Sequence, residues 1–425
     1  MLLSSIEVLL FAWILPINYI SIHRYYRDRL METFMPDVEN IIQGTGNNYE
    51  KTTNTEAGFE EKTDPDNKDK GLTLPQKIIR KSAEIGRHTL KYSLGIYREN
   101  IGNGESIRAN NMAVHELKES YNGKVPYHLI NTNIILVESE IAKFRGRGGD
   151  NFLLSPLYSG SNATGWRSTN EFCGGNVTLP TAVAVSGAAA NPNSGVAGTG
   201  LTTNAIVSTL MSLFNLRLGY WVSNPDPKIL KEQKRIPNYL IPGFWEVLQR
   251  KKMNEKAKFV QLSDGGHFEN LALYELFRRR ARVIIACDAG ADVNYEFTDL
   301  ANAIEKARVD FGIIVDINRD QLDKLTPDMN PEQYSSKYAL SEISYLIADI
   351  DYNDDKAPGK LIYIKTSLSK NIGADVHAYK RTHPNFPDQT TGDQFFDEVQ
   401  FEAYRQLGWQ IAEDMLNDKE VKNII

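Results

Sequence analysis

Apolar and polar positions from residue 127 onward predict alternating strands and helices. Residues 127–139 (YHLINTNIILVES) and 150–160 (DNFLLSPLYSG) have the β-branched and apolar density of buried strands. Residues 259–290 predict a strand, a glycine turn, a helix and a second strand, and residues 299–317 predict another helix and strand. The alternation predicts an α/β fold built on a mostly parallel sheet with helices on its faces.

Further helices are indicated by apolar spacing outside this region. Residues 74–99 carry apolar side chains at helical intervals, and residues 204–222 (NAIVSTLMSLFNLRLGYWV) predict an apolar helix that must be buried or face a membrane. Residues 392–416 predict a C-terminal helix, whose expected apolar stripe is Phe395, Phe396, Val399, Phe401, Tyr404 and Leu407.

The first 22 residues are apolar enough for a possible transmembrane segment. About 20 apolar residues suffice to cross a bilayer, and Arg24, which follows closely, would hold that end on the cytoplasmic side. Glu7 and Pro16 weaken this interpretation, and a buried or interfacial hydrophobic helix is the alternative. We divide the remainder into an amphipathic connector (23–43), a flexible polar insertion (44–71) and a main domain (72–425).

Composition excludes several classes of protein. The 425 residues are 41% hydrophobic and 24% charged, as in ordinary globular proteins, and the net charge of −6 argues against nucleic acid as a partner. The two cysteines, Cys173 and Cys287, form no CxxC motif. A disulfide framework and a cysteine-based zinc site are therefore excluded, and a reducing compartment is indicated.

The stretch VQLSDGG places an acid, Asp264, at the end of a predicted strand. Ligands of open α/β sheets bind at such carboxyl ends. Gly265 and Gly266 would let the chain turn sharply and leave the carboxylate accessible, with the positive end of a helix starting near Phe268 directed at the turn. The alternative is that Asp264 only caps this helix or closes an Asx turn.

Other polar residues near this stretch have weaker claims to a chemical role. His267 and Glu269 form an H-x-E pair without the cysteine motif of zinc deaminases, and Glu269 suits the first turn of a helix. Ser186, in AVSGA, lacks the G-x-S-x-G elbow, which occurs nowhere in the chain, and no helix is expected after it. Asp288, in CDAGAD, is interpreted as a turn residue, a brace for the site or a cation ligand.

Two of these motifs together resemble the patatin-like phospholipases. In that family a segment of the type A-x-x-S-x-A-x-P precedes a strand ending in D-G-G or D-G-A, which opens a helix with an asparagine in its first turn. AVAVSGAAANP and VQLSDGGHFENLALYEL are similar to these elements. Longer stretches between Tyr19 and Trp409 resemble a large bacterial-type branch of the family with a membrane region. The matching residues are Ser186, Ala189, Pro192, Asp264, Gly265, Gly266 and Asn270.

The resemblance implies a three-layer α/β/α fold and ester hydrolysis of lipid acyl chains by a Ser–Asp dyad, without metal or cofactor. Asp264 would be the acid that takes the serine proton. Lipid or phospholipid substrates and a membrane are the implied partners, with the C-terminal domain on the cytoplasmic side. The residues placed around the site are Ser186, Gly187, Asn193, Gly265, Gly266, His267 and Asn270.

The chain departs from the family in its nucleophile. The glycine-rich oxyanion motif and the serine elbow, which precede the matching region in the family, do not occur here. We therefore expect the chain to be a C-terminal portion that is inactive alone, with a complementary N-terminal chain carrying the serine. The alternatives are a catalytically inactive, membrane-associated lipid-binding module, and self-contained catalysis by Ser186 and Asp264.

Overall fold

The computed structural model describes residues 12–34, 112–121, 126–192, 204–231, 237–243, 253–328, 338–354, 357–390 and 397–425. The predicted polar insertion (44–71) and the helix expected at 74–99 lie outside the described residues. So do residues 1–11 and 35–43. Within the described ranges, no helix is both long and apolar enough to cross a membrane. The chain divides into two compact units, Met1–Phe268 and Glu269–Ile425, and each is described by itself.

Unit 1 contains a six-stranded sheet in the order β4-β3-β2-β1-β6-β5, and every neighbouring pair is antiparallel. Its strands are β1 (Ile130–Ile135), β2 (Gly149–Leu154), β3 (Tyr158–Ser161), β4 (Gly165–Ser168), β5 (Tyr220–Ser223) and β6 (Phe259–Asp264). Its helices are α1 (His23–Phe34), α2 (Ala142–Arg147), α3 (Leu179–Ser186) and α4 (Ala205–Leu213), with 3-10 turns at Val114–Tyr121, Phe172–Gly175 and Gly265–His267.

The core of unit 1 lies between its sheet and α3. The Thr178 side chain accepts from the Thr181 amide and caps α3, and Pro180 occupies the first turn, where a missing N–H costs nothing. Ala182 and Val185 pack into the same apolar cluster as Phe152 of β2. Helix α1 packs against α3, and α3 packs against β1 and β6. The end of α3 is thereby fixed beside the central strands.

Unit 2 contains a four-stranded sheet in the order β7-β10-β9-β8. Its strands are β7 (Val283–Asp288), β8 (Ile314–Asp316), β9 (Tyr345–Asp351) and β10 (Gly359–Lys365). The β7/β10 pair is parallel and the other two pairs are antiparallel. Its helices are α5 (Leu273–Arg278), α6 (Thr298–Phe311), α7 (Arg319–Leu325), α8 (Ala374–Thr382), α9 (Glu398–Asn417) and α10 (Lys419–Ile424).

The structure confirms a mixed α/β fold, but the expected mostly parallel sheet is wrong. Strands β2, β3 and β4 follow one another through short turns, and connections of that length join only antiparallel neighbours. The predicted strand–turn–helix–strand unit exists, but β6 and β7 belong to different sheets. The parallel pair, β7 and β10, is joined by a long connection that contains α6, β8, α7 and β9.

Three helices differ from their predicted positions. The helix predicted at 204–222 ends at Leu213, and residues 220–222 belong to β5. The helix after the glycine turn begins at Leu273 rather than near Phe268, because a 3-10 turn and a left-handed Ala272 (φ 60°) come between. The C-terminal helix is present, but Val399 and Phe401 of its predicted apolar stripe are exposed. The buried positions of α9 recur every three or four residues instead: Gln400, Ala403, Leu407, Ile411 and Met415.

Candidate functional site

Asp264 ends β6, which lies between β1 and β5 in the sheet of unit 1. Its Oδ1 accepts a hydrogen bond from the Gly266 amide at 2.7 Å, so the side chain caps the 3-10 turn that follows. Its own amide donates to the carbonyl of Ala188 at 3.2 Å. Among the residues that the structure describes, Oδ2 has no hydrogen-bond partner. The capping alternative is therefore correct for one oxygen, and the second oxygen is left available.

Burial governs the electrostatics of this carboxyl. Desolvation raises the pKa of Asp264 above its ordinary value, and the hydrogen bond from Gly266 offsets only part of that rise. The pKa of Tyr26, on α1, is raised first by burial and then by the charge on Asp264. The phenol and the carboxylate are thus close enough to interact electrostatically.

The two glycines after Asp264 act through space rather than through unusual backbone angles. Neither Gly265 nor Gly266 has a positive φ, so the expected conformational role is wrong. A Cβ on Gly265 would lie 3.0 Å from the carbonyl oxygen of Asn131, in the neighbouring strand β1. Gly265 therefore permits a close approach of the turn to β1, and Gly266 supplies the amide that holds Asp264.

Ser186 and Gly187 lie in the same cluster. The Ser186 hydroxyl donates to the carbonyl of Asn131 at 2.7 Å, the same oxygen that Gly265 approaches. The Tyr26 hydroxyl donates to the Gly187 carbonyl at 3.1 Å. Ser186 is the last residue of α3, so it ends a helix, whereas an elbow serine would precede one.

His267 is a partly buried, neutral ring with two hydrogen-bond partners. The Asn133 amide donates to the Ser263 hydroxyl at 3.2 Å, and the same hydroxyl lies within hydrogen-bond distance, 3.0 Å, of Nδ1 of His267. Burial lowers the pKa of His267 to about 4, and a second hydrogen bond joins the ring to the backbone of Ala189. In the described residues this ring therefore links β6 to the segment after α3, without a carboxylate partner.

Two of the predicted site residues, Asn270 and Asn193, lie outside the described part of unit 1. Asn270 belongs to unit 2, where its amide donates to Asp299 at 2.8 Å. Asn193 lies outside the described residues. Glu269 is buried and accepts from the Leu271 amide at 2.5 Å and the Tyr274 amide at 2.9 Å. It was expected in the first turn of a helix, but it precedes α5 and binds the amides at the start of that helix. No group of three or more His, Cys, Asp or Glu within the described ranges could hold a metal.

Asp288 is occupied by structural contacts in unit 2. Its Oδ1 accepts from the Gly290 amide at 2.8 Å and lies 3.3 Å from the buried Lys365 ammonium. The Tyr363 hydroxyl donates to Oδ2 at 2.5 Å. The turn interpretation is confirmed, and the carboxylate is additionally the anion of a buried ion pair.

Three residues of the cluster were not foreseen: Tyr26, Asn131 and Ser263. Tyr26 is 161 residues from Gly187, so no local pattern connects them. Asn131 contributes a backbone carbonyl, which no side-chain motif reveals. Ser263 directly precedes Asp264, and the strand period places successive side chains on opposite faces, so no signal in the sequence indicated that Ser263 would contact His267.

Comparison with known proteins gives a distant structural likeness. No protein-family model matches the chain, and no curated protein matches it. Among solved structures, the chain is similar to human GIVD cytosolic phospholipase A2, at 13% sequence identity and a TM-score of 0.45. The similarity covers 82% of this chain and 51% of that one, so the chain spans about half the length of the solved structure.

Proposed function

We propose that the cluster around Asp264 is the acid half of a patatin-like lipid acyl hydrolase, with the three-layer fold that the resemblance implies. The observation that carries this proposal is that the two carboxylate oxygens of Asp264 have different hydrogen bonding. One oxygen of Asp264 is fixed by Gly266 at 2.7 Å, and the other has no hydrogen-bond partner among the described residues.

This arrangement suits a general base. The bond from Gly266 orients the carboxylate, and burial raises its pKa, which strengthens it as a proton acceptor. In the proposed reaction, Asp264 takes the proton of a serine hydroxyl as the serine oxygen attacks an ester carbonyl of a lipid. The ester C–O bond then breaks, the alcohol leaves with the proton, and water hydrolyses the acyl-serine.

The contacts of Ser186 favour a nucleophile from elsewhere. Its proton is already donated to the Asn131 carbonyl at 2.7 Å, and it ends a helix instead of starting one. The sequence contains no G-x-S-x-G motif. We therefore assign the nucleophile to a complementary polypeptide carrying GGG-x-R and G-x-S-G-G motifs, which this chain would complete.

The experiment is a reconstitution. The chain is assayed on a phospholipid with a fluorogenic acyl chain, alone and with a complementary polypeptide encoded beside its gene. We expect hydrolysis only from the pair, reduced at least about a hundredfold by Asp264→Asn, as for loss of a general base. The matched control is Asp226→Asn, because Asp226 also accepts from an amide two residues on, that of Lys228, at 2.8 Å.

Two outcomes would change the assignment. A folded, co-purifying pair without hydrolysis would overturn the hydrolase proposal. Hydrolysis by the chain alone that Ser186→Ala abolishes would keep the reaction and move the nucleophile to Ser186.

The second candidate is a catalytically inactive lipid-binding module. It is favoured by the charge-free apolar surface of unit 1 analysed below. Such a module would bind lipid equally well with Asp264 or with Asp264→Asn, and would give no turnover in the reconstitution.

A further inference from the structure

Unit 1 exposes large apolar side chains along three chain segments: 12–22, 204–216 and 237–243. Ile206 is 73% exposed and Phe214 is 66% exposed. Trp13, Ile14 and Leu210 are also about half exposed. Contiguous apolar surface of this kind is rare on proteins that contact only water, and it marks interaction sites.

Backbone and side-chain hydrogen bonds join the three segments into one surface. The Tyr239 amide donates to the carbonyl of Leu15 at 2.9 Å. The Asn215 amide group donates to the carbonyl of Ile17 at 2.9 Å, and the Tyr239 hydroxyl donates to the carbonyl of Leu213. We call the exposed side chains of these three segments the apolar surface.

Helix α4 exposes apolar side chains and buries polar ones, the reverse of a helix that faces water. Ile206, Leu210 and Leu213, spaced by four and three residues, share an exposed face. Ser208 and Ser212 are buried. Leaving a large aliphatic side chain in water forgoes about 1.5–3 kcal/mol, so this orientation favours an apolar medium at the outer face.

The charge distribution identifies that medium. Segments 12–22, 204–216 and 237–243 contain no Asp, Glu, Lys, Arg or His. Beside them on α1, the guanidinium of Arg24 lies 5.3 Å from the ring centre of Tyr19, and that of Arg29 lies 5.6 Å from the ring centre of Tyr25. Arginine and tyrosine at the margin of an uncharged apolar face are typical of insertion at the headgroup level of a bilayer.

We infer that the apolar surface docks unit 1 onto a lipid bilayer, with aliphatic and tryptophan side chains at the acyl boundary. The exposed Arg29 of α1 would face anionic headgroups, whereas Arg24 is ion-paired with Asp28 at 3.0 Å. The surface lies in the plane of one leaflet and requires no membrane-spanning helix. This inference stands apart from the proposed hydrolysis, because binding needs neither a nucleophile nor Asp264.

Vesicle flotation of the full chain tests the inference. The vesicles are phosphatidylcholine alone, or phosphatidylcholine with phosphatidylglycerol. We expect binding to both, and Ile206→Asp or Phe214→Asp to weaken it roughly tenfold or more, since one buried aliphatic or aromatic side chain contributes about that factor. Val293→Asp is the matched control, because Val293 is also 73% exposed but lies in unit 2.

A second flotation measurement tests the contribution of Arg29 at the edge of the apolar surface. Arg29→Gln should weaken binding to the phosphatidylglycerol vesicles about fivefold, as for one arginine near an anionic surface, and leave binding to phosphatidylcholine unchanged. Asp264→Asn should bind like the wild type, so a failed hydrolysis assay and a failed docking assay are distinguishable.

Three results would overturn the inference. The first is a folded wild-type chain that does not float with either vesicle. The second is equal flotation of Ile206→Asp and wild type. The third is a lipid-free dimer, measured by light scattering, that Ile206→Asp dissociates, because the surface would then bind a second copy of the chain.

Discussion

Asp264 Oδ1 and the Gly266 amide are joined by a hydrogen bond of 2.7 Å across two residues of the chain. This local contact occupies one carboxylate oxygen and sets the direction of the other. A capping role and a catalytic role, which the sequence posed as alternatives, are therefore compatible in one side chain. An asparagine at position 264 could still accept the hydrogen bond from Gly266, but it could not act as a base.

Asp264→Asn should stabilise the chain near neutral pH. The folded-state pKa of Asp264 is raised by burial, so its ionisation costs stability as pH rises through that pKa. Asn keeps an acceptor for the Gly266 amide and does not ionise. The melting temperature at pH 7 should rise, and the difference from wild type should vanish below the ordinary aspartate pKa, about 3.9.

A lower melting temperature for Asp264→Asn at pH 7 would contradict this expectation and indicate a mainly structural carboxylate. Asp226→Asn, which makes the same contact two residues along the chain, should leave the melting temperature unchanged at both pH values.

Gly187→Ala should destabilise unit 1 through a single clash. A Cβ there would lie 2.6 Å from the Tyr26 hydroxyl oxygen. Because φ of Gly187 is −102°, no backbone strain contributes. We expect a loss of about 1–3 kcal/mol in the free energy of unfolding, as for overpacking.

Tyr26→Phe removes the clashing oxygen, so Gly187→Ala should cost less in that background. A double-mutant cycle by urea denaturation should give a coupling of at least about 0.5 kcal/mol. Strictly additive effects would show that the clash is relieved in some other way.

Asp150→Asn should remove a loss of stability that the wild type shows as pH rises. Burial raises the pKa of Asp150 to about 6, while its Oδ2 accepts from the Ala163 amide at 3.0 Å. The folded pKa lies above the unfolded one, so the stability it contributes below about pH 4 is lost as pH rises through 6.

At about 1.4 kcal/mol per pKa unit, the wild type should lose roughly 3 kcal/mol relative to Asp150→Asn between pH 4 and pH 7. Denaturant titrations at both pH values measure this difference, and the subtraction removes the contributions of other groups. A constant difference between the two proteins would contradict the prediction.

Lys365→Met should destabilise unit 2 strongly. Lys365 and Asp288 are both buried, end the parallel strands β10 and β7, and lie 3.3 Å apart. Removing one partner leaves an uncompensated buried charge, which costs about 3–5 kcal/mol. Lys365→Met combined with Asp288→Asn should recover part of that loss.

Lys360→Met is the control on the same strand. Its ammonium pairs with Asp349 at 2.7 Å, but both side chains are partly or largely exposed, so about 0–1 kcal/mol is expected. Equal losses for the two lysine variants in denaturant titrations would rule out burial as the cause.

Local patterns were sufficient for the elements of this chain but not for their pairing. Residues 127–139 and 259–264 were expected as strands from their apolar density, and β1 and β6 are found there. Their antiparallel pairing, with Thr132 opposite Asp264, was not foreseen. Pairing depends on contacts between residues far apart in sequence, whereas periodicity reports only which faces are apolar.

The same division applies to the site. By itself the sequence determined that Asp264 ends a strand at a glycine turn, because strand period and turn chemistry are local. Only the tertiary structure decided that Ser186 donates to Asn131, that Tyr26 contacts Gly187, and that α4 turns its serines inward. The reason is physical: a hydrogen bond or a buried face is chosen by whichever distant segment packs against it, and that choice is made by the whole core.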